Sequence, residues 1–218
     1  MKILAVTSSF LPEVGGMQYS THQTLLALVK KGAEVELICP KHSASAETDK
    51  QIPYKVTRIS GSSYIAAFHH LVMIRRKWKQ NKYDQLLLMG HHEEIAFGIA
   101  NIFYPVHPII LAAGTRLHFS GTRIKIMIRN FILCNAYKKS EKIIAISPGT
   151  KKCIALYCKG IVTPFFIIPR PIDGSIWKRR RKKNGTDFTL VTFGRLEKAK
   201  NIQSVLEIIE RLRNKIPT

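Results

Sequence analysis

Short apolar segments alternate with helical segments along most of the chain, and this alternation limits the fold more than any other feature. The pattern predicts a strand at 2–7, a loop at 8–16, a helix at 18–31 and a second strand at 34–39. This order is typical of one parallel crossover unit. Several predicted strands are apolar over nearly their whole length, such as 85–89 after its first residue, as expected where helices cover both faces of a parallel sheet. The sequence therefore predicts a doubly wound α/β domain.

The alternation continues to about residue 165 and then starts again, which indicates a domain boundary. Further strands are predicted at 54–59, 109–112 and 142–146, with helices at 64–79, 93–103, 122–138 and near 148–156. We assign residues 1–165 to a Rossmann-like domain. Residues 166–218 supply strands at 166–169 and 188–193 and a helix at 201–214. They predict the start of a second α/β domain, because so short a unit cannot bury the faces of a parallel sheet.

Residues 95–115 carry no charged side chain and are long enough to span a bilayer. Pro105 and Pro108 would break a helix there, and Asn101 and His107 would be costly in lipid. We therefore predict a buried helix, a turn and a buried strand instead of a membrane span. The apolar run at the N-terminus is too short for a signal peptide, which favours a cytoplasmic protein.

The four cysteines, Cys39, Cys134, Cys153 and Cys158, form no C-x-x-C pair, and no His/Cys cluster has zinc spacing. This pattern favours free buried thiols in a reducing cytoplasm. The His-His-Glu-Glu run at 91–94 contains metal-ligand residue types, but its position between a strand and a helix is more typical of a polar helix start. We expect no metal.

The chain carries 35 Lys and Arg residues against 14 Asp and Glu, a formal net charge of +21. Such an excess indicates contact with a polyanion. Basic stretches occur at 75–82, 123–152 and 178–183. We find no RNA- or DNA-binding motif and no interleaving of aromatic with basic residues, which argues against nucleic acid as the partner.

The middle basic stretch combines positive charge with an apolar stripe at helical spacing. Arg123, Lys125 and Arg129 are interspersed with the four residues of the stripe, Ile124, Met127, Ile128 and Phe131. A stripe of this kind suits docking on anionic phospholipid. It equally suits a helix whose apolar side faces the domain core, with the charges in solvent. The sequence leaves both readings open.

Two loops that follow strands contain residues suited to phosphate. Gly15 and Gly16 precede a helix whose N-terminus offers free N–H groups, although a plain tight turn also explains them, and the G-x-G-x-x-G fingerprint is absent. Arg195 and Lys200 flank a second helix start, where they would suit a diphosphate and stabilise a departing nucleoside diphosphate without a metal. A solvated basic loop is the alternative there.

Taken in order, the motifs resemble those of the retaining glycosyltransferases of GT-B family 4. They are the F-x-P-x-x-G-G loop, KGAEVELICP, Tyr83-Asp84 before an apolar strand, IIAIS at 143–147, Ile-Ile-Pro at 167–169 with Asp173 after it, and FGRLxxxKN. The resemblance implies two Rossmann-like domains with the active site between them. It also implies that the C-terminal domain mainly holds a nucleotide-sugar donor and the N-terminal domain mainly holds the acceptor.

Carried over by position, the resemblance assigns five residues to this site. Gly15 and Gly16 would face the donor phosphates or sugar, Arg195 and Lys200 would neutralise the diphosphate, and Ser147 would line the cleft. It implies no cofactor, because the nucleotide sugar is a substrate, and it implies no metal. It assigns no catalytic residue.

The chain departs from the family pattern at three places. Ala113-Gly114-Thr115 stands where the family commonly has His-Gly-Thr, and Arg170-Pro171 stands where it often has Asn-Gly. The paired-glutamate motif that holds the donor sugar does not occur within the 218 residues.

The resemblance implies an enzyme that moves a sugar from a nucleotide donor to a glycan or lipid-linked acceptor, as in bacterial surface-polysaccharide assembly. We expect it to lie in the cytoplasm, peripherally on the inner face of the membrane. The alternative is a non-catalytic remnant, or an acceptor- or membrane-binding subunit whose donor domain is a separate chain. Whether this chain is active alone is left open.

Overall fold

A seven-stranded sheet forms the framework of the computed structural model, with all of its strand pairs parallel. Its strands are β1 (Lys2–Val6), β2 (Glu34–Pro40), β3 (Lys55–Ile59), β4 (Gln85–Leu88), β5 (Ile109–Ala112), β6 (Lys142–Ala145) and β7 (Phe165–Ile167). Their order is β3-β2-β1-β4-β5-β6-β7, so the chain reverses its direction of travel between β1 and β4. The prediction of a doubly wound parallel sheet is confirmed.

Helices connect the strands. They are α1 (Gly16–Lys30), α2 (Ser45–Lys50), α3 (Ser63–Asn81), α4 (His91–Ala100), α5 (Arg123–Lys139), α6 (Pro148–Tyr157) and, near the C-terminus, α7 (Ile202–Arg213). The structure describes residues 1–60, 63–114, 117, 122–174, 191–192, 194 and 201–213. The chain divides into two compact units, Met1–Trp177 and Lys178–Thr218, and the sheet belongs to the first.

The two faces of the sheet have separate apolar cores, because successive strand residues point to opposite sides. On the first face, Leu4 and Val6 of β1 lie in a cluster with residues of α3, α4, α5 and α6, including Phe97 and Tyr137. On the second face, Ile3 and Ala5 lie in a cluster with α1 and with the segments after β1 and β2. Apolar residues of the sheet are thus buried from both sides.

Helices α4 and α5 pack closely on the first face. A Cβ atom on Gly98 would lie 2.1 Å from the carbonyl oxygen of Ile132, and Asn135 Nδ2 donates to the carbonyl of Gly98 at 2.6 Å. Only a glycine lets the backbones approach so closely.

The charge-free segment at 95–115 folds as predicted. It contains the end of α4, a 3-10 turn (Asn101–Phe103) and β5. In the ranges that the structure describes, we find no helix with the length and hydropathy that crossing a bilayer requires.

The prediction of four free thiols was wrong for two of them. Cys134 of α5 and Cys158, directly after α6, form a disulfide with an S–S distance of 2.05 Å. Cys39 and Cys153 remain thiols. The pair was not visible in the sequence, because it depends on how α5 and α6 are placed on the sheet.

The last strand of the sheet lies beyond the predicted domain boundary after residue 165. β7 pairs with β6, with Ile143 opposite Phe165 and Ala145 opposite Ile167, so the first compact unit extends to Trp177. That the remaining residues begin a second α/β domain stays a prediction. Most of the predicted strand at 188–193, and the basic run at 178–183, fall outside the described residues.

Candidate functional site

The carboxyl ends of the parallel strands meet at one edge of the sheet, where open α/β sheets commonly bind ligands. This edge carries the loop between β1 and α1, Gly90 after β4, Ala113 after β5, Ser147 near the end of β6 and Arg170 after β7. The chain reverses between β1 and β4, so a crevice is expected beside these two strands.

Gly15 and Gly16 form the start of α1 at this edge. Gly15 precedes the helix in an extended conformation, and no side chain caps the N-terminus. The first turn contains no acidic residue, and the backbone N–H of Tyr19 bonds back to the carbonyl of Gly15 at 3.0 Å. The preceding N–H groups at the start of the helix therefore remain available to an anion, supported by the helix dipole.

Side chains within the β1–α1 loop fix its shape. Ser9 Oγ donates to Glu13 Oε2 at 2.6 Å, and Gln18 Nε2 donates to the same carboxylate oxygen at 3.3 Å and to Ser9 Oγ. A Cβ atom on Gly15 would lie 2.3 Å from Gln18 Oε1. A larger residue at this position would displace the end of the Gln18 side chain and with it the hydrogen bonds to Ser9 and Glu13.

Arg58 of β3 holds the other side of the same loop. Its Nη2 atom donates to the carbonyl of Leu11 at 2.7 Å and pairs with Asp49 Oδ1 at 2.6 Å. Its guanidinium also lies 5.4 Å from the centre of the Phe10 ring. These contacts join β3 and α2 to the loop that presents Gly15 and Gly16.

Ser147 lies at the predicted edge, but its hydroxyl caps a helix. Its Oγ atom accepts a hydrogen bond from the backbone N–H of Thr150 at 3.1 Å, and Pro148 occupies the first helical position of α6. Both features are typical of a helix start. That Ser147 lines a cleft stays a prediction.

Arg170 reaches this edge although the sequence analysis assigned it no binding role. Its Nη2 atom donates to the carbonyl of Ala113 at 2.9 Å. Its Nη1 atom lies 3.4 Å from the position that a Cβ atom on Gly16 would occupy. Two departures from the family pattern, at 113 and 170, are therefore in contact and place a guanidinium beside the start of α1. The only signal in the sequence was that Arg170 follows the last strand of a parallel sheet.

Two carboxylates at the start of α4 are buried, each 2% exposed. His70 Nδ1 lies 3.1 Å from Glu93 Oε1, and Tyr137 donates to Glu94 Oε2 at 3.1 Å. Burial raises the pKa of Glu94, although His91 and the hydroxyl of Tyr137 act in the opposite direction. The sequence predicted a helix start here but not its burial. Among the described residues, no group of three or more His, Cys, Asp or Glu side chains is arranged to hold a metal.

The two predicted cations of the donor site, Arg195 and Lys200, lie outside the described residues. Their proposed contact with a diphosphate therefore rests on the sequence. Of the five predicted site residues, the structure places Gly15, Gly16 and Ser147 on one edge of the sheet.

Comparison with known proteins gives a family match over most of the first unit. The family described as Glycosyltransferase Family 4 matches residues 14–175. No curated protein matches the chain.

Solved structures share the fold. The chain is 14% identical to Anabaena Alr3699/HepE, crystallised in complex with UDP-glucose, with a TM-score of 0.62 over 83% of this chain and 46% of that one. The crystal structure of the same protein with UDP gives 13% identity and a TM-score of 0.60, over 81% and 46%. UDP-N-acetylglucosamine 2-epimerase from Rickettsia bellii is 12% identical, with a TM-score of 0.53 over 76% and 44%. The chain thus spans about half the length of these proteins.

Proposed function

Since this chain belongs to Glycosyltransferase Family 4, we propose that it takes part in the transfer of a sugar from a nucleotide-sugar donor to a glycan or lipid-linked acceptor. The observation that carries this proposal is the uncapped start of α1 at the carboxyl edge of the sheet, with Gly15 and Gly16 at the reversal point between β1 and β4. The crystal structures of HepE with UDP and UDP-glucose support a nucleotide sugar as donor.

The chemistry follows from what this edge offers to a diphosphate. Negative charge develops on the leaving nucleoside diphosphate as its bond to the sugar breaks. Backbone N–H groups at the start of α1 and the positive end of its dipole stabilise that charge, because they are oriented before the reaction. From the sequence alone, Arg195 and Lys200 are proposed to give charge-assisted hydrogen bonds to the diphosphate. No step in this scheme requires a metal.

Gly16 allows a sharp test of the donor site. It is the first residue of α1, a position that tolerates proline, so Gly16→Pro removes one N–H donor while preserving the helix. We expect this variant to bind UDP and UDP-glucose about tenfold to a hundredfold more weakly by calorimetry, since a hydrogen bond to a charged group contributes about 1.5–3 kcal/mol. Gly16→Ala is the matched control, because it retains the N–H and its Cβ meets only Arg170 at 3.4 Å. Equal affinities for both variants and the parent would contradict the proposed phosphate site.

We further propose that the first unit docks peripherally on an anionic membrane through α5. The apolar stripe on this helix faces solvent: Ile124 is 66% exposed, Met127 68%, Ile128 53% and Phe131 76%. The reading in which the stripe faces the core is therefore wrong. Arg123 and Lys125 are also exposed, and an apolar surface flanked by basic residues is suited to an anionic bilayer.

The end of α4 and the turn after it also expose apolar side chains. Ile99 is 66% exposed, and Ile102 and Phe103 of the following 3-10 turn are 81% and 53% exposed. Arg75 of α3 donates to the carbonyl of Phe103 at 2.8 Å, which adds a basic group beside the turn. A membrane position of this kind suits an acceptor linked to lipid and a role in surface-polysaccharide assembly.

Vesicle co-sedimentation tests the docking surface. We expect binding to vesicles with anionic phospholipid and not to neutral ones, with affinity falling as salt increases, because each basic residue near the surface contributes about 1 kcal/mol. Phe131→Ser should weaken binding, since it removes an exposed apolar group from α5. Leu156→Ser on α6, where Leu156 is 64% exposed, is the matched control and should bind as the parent does. Equal binding to neutral and anionic vesicles would refute the proposal.

A further inference from the structure

Arg170 follows the last strand of the sheet on a segment whose backbone is restricted. The N–H of Ile168 donates to the carbonyl of Ala145 at 2.9 Å, which extends the pairing of β7 with β6 beyond the end of the strand. Pro169 and Pro171 flank the arginine. Because proline fixes its own φ and restricts the residue before it to extended conformations, few backbone conformations are open to Arg170. Binding a ligand therefore costs little additional backbone entropy at this position.

The side chain of Arg170 lies along the carboxyl edge and points towards the start of α1. Its Nη2 atom donates to the carbonyl of Ala113, after β5, at 2.9 Å. Its Nη1 atom lies 3.4 Å from the Cβ position of Gly16. Bond lengths within one residue therefore place Nη1 within about 6 Å of the Gly16 nitrogen. One phosphate oxygen can accept from both donors at such a separation, because each hydrogen bond is about 2.9 Å long.

The charge of Arg170 has no anion to balance it among the residues that the structure describes. None of the ion pairs of these residues includes Arg170, and the first turn of α1 contains no acidic residue. A cation and the positive end of a helix dipole repel each other. A bound anion removes this repulsion, and Arg170 is exposed, so a ligand can reach it from solvent.

A structural clamp explains only part of this arrangement. To join the segments after β5 and β7, the bond from Nη2 to the carbonyl of Ala113 is sufficient. A clamp requires neither a full charge nor the approach of Nη1 to Gly16, where the helix dipole opposes a cation. The orientation of the guanidinium is therefore explained better by an anionic ligand than by the carbonyl alone.

We propose that Arg170 binds the diphosphate of the donor, together with the backbone N–H of Gly16. The guanidinium gives charge-assisted hydrogen bonds to the same phosphate group that the start of α1 binds. This inference rests on the proposed function and deepens it, because it assigns the diphosphate a cation within the first unit. The bond to Ala113 fixes the guanidinium before the phosphate binds, so the charge is already oriented when the diphosphate leaves the sugar.

Calorimetry of the full chain with inorganic pyrophosphate and with UDP tests the role of Arg170. We expect Arg170→Gln to weaken the binding of both ligands by about tenfold or more, because it removes hydrogen bonds to a charged group. Arg170→Lys keeps the charge and should bind both ligands at least about threefold more tightly than Arg170→Gln. Arg76→Gln is the matched control and should bind as the parent does. Arg76 is exposed in the half of α3 that leads to the start of β4, so its loss removes the same charge elsewhere.

A double variant shows whether Arg170 and the start of α1 bind the same phosphate. Independent contributions multiply, so Gly16→Pro with Arg170→Gln would then show the product of the two single losses within about threefold. We expect a departure from that product of more than about threefold, because both donors contact one group. A simple product would overturn the proposal. Equal affinities of Arg170→Gln and the parent, or equal losses in Arg170→Gln and Arg170→Lys, would also overturn it.

Failure of this inference and failure of the proposed function give different results. If Gly16→Pro weakens UDP binding and Arg170→Gln does not, the phosphate site at the start of α1 stands and the role of Arg170 is refuted. If neither substitution changes the affinity for UDP, or if the parent binds neither ligand, both are refuted.

Discussion

Replacing Glu36 with glutamine tests how a buried carboxylate on β2 stabilises the first unit. The side chain of Glu36 is 6% exposed, and Lys77 Nζ lies 2.7 Å from its Oε1 atom. Tyr83 donates to Oε2 at 2.5 Å, and Thr57 donates to Oε1 at 2.8 Å. Burial alone would raise the pKa of Glu36, but the hydrogen bonds from these three side chains outweigh it and lower the pKa from 4.5 to about 2.

The lowered pKa sets the size and the pH dependence of the effect. Each tenfold change in proton affinity corresponds to about 1.4 kcal/mol, so the ionised carboxylate favours folding by about 3 kcal/mol at neutral pH. Lys55 also pairs with Glu36, at 3.4 Å, and its side chain is 62% exposed. Solvent therefore screens part of the interaction and reduces the contribution of the carboxylate to roughly 2 kcal/mol. Because the pKa is lowered on folding, the contribution is complete above the unfolded value of 4.5. It is lost as the pH falls towards 2.

Urea unfolding followed by circular dichroism measures this contribution. We expect Glu36→Gln to lower the free energy of unfolding by roughly 2 kcal/mol at pH 7 and by roughly 1 kcal/mol at pH 3, where the lowered pKa still keeps the folded carboxylate ionised. Glu34→Gln on the same strand is the matched control. Glu34 pairs with Lys2 at 2.8 Å but is 70% exposed, so its loss should cost less than about 1 kcal/mol. A Glu36→Gln variant as stable as the parent at pH 7, or equally destabilised at both pH values, would refute the reasoning.

Two further substitutions test the packing of α4. Gly98→Ala should lower the thermal unfolding temperature, at a cost of about 1–3 kcal/mol, because its Cβ would lie 2.1 Å from the Ile132 carbonyl. Gly149→Ala, whose Cβ would meet only Ser147 Oγ at 3.6 Å, should not. Glu94→Gln should be at least as stable as the parent at pH 8. The raised pKa of Glu94 means that its ionisation opposes folding as the pH rises. A Glu94→Gln variant that is less stable than the parent at pH 8 would contradict this account.

The strands and helices of the first unit were predictable because their signals are local. The apolar run at 86–89 and the glycine after α1 each indicate an element by themselves. The C-terminal end of the first unit was harder to predict from the sequence, because the apolar pattern of a single strand at 165–167 does not show which sheet the strand joins. Its pairing with β6 is set by the placement of α6, and this is a tertiary property.

The stripe on α5 illustrates a second limit of sequence patterns. Spacing of i, i+3, i+4, i+7 shows that Ile124, Met127, Ile128 and Phe131 share one side of a helix, but it does not show which side faces the sheet. The packing against the sheet is decided by Leu133, Ala136 and Tyr137, which are buried in the second half of the helix. Burial of Glu93 and Glu94 was missed for a similar reason, since their partners His70 and Tyr137 are distant in sequence.

The contact between Arg170 and Ala113 changes how the two departures from the family pattern are understood. Considered separately along the sequence, each is only a residue that differs from the family pattern. In the fold, the arginine binds the backbone carbonyl at 113, which any residue there would supply, and its charge lies beside Gly16. The carboxyl edge therefore has a fixed cation next to an uncapped helix start. Because a cation and a helix N-terminus both favour an anion, this arrangement suits the phosphate site that we propose at Gly15 and Gly16.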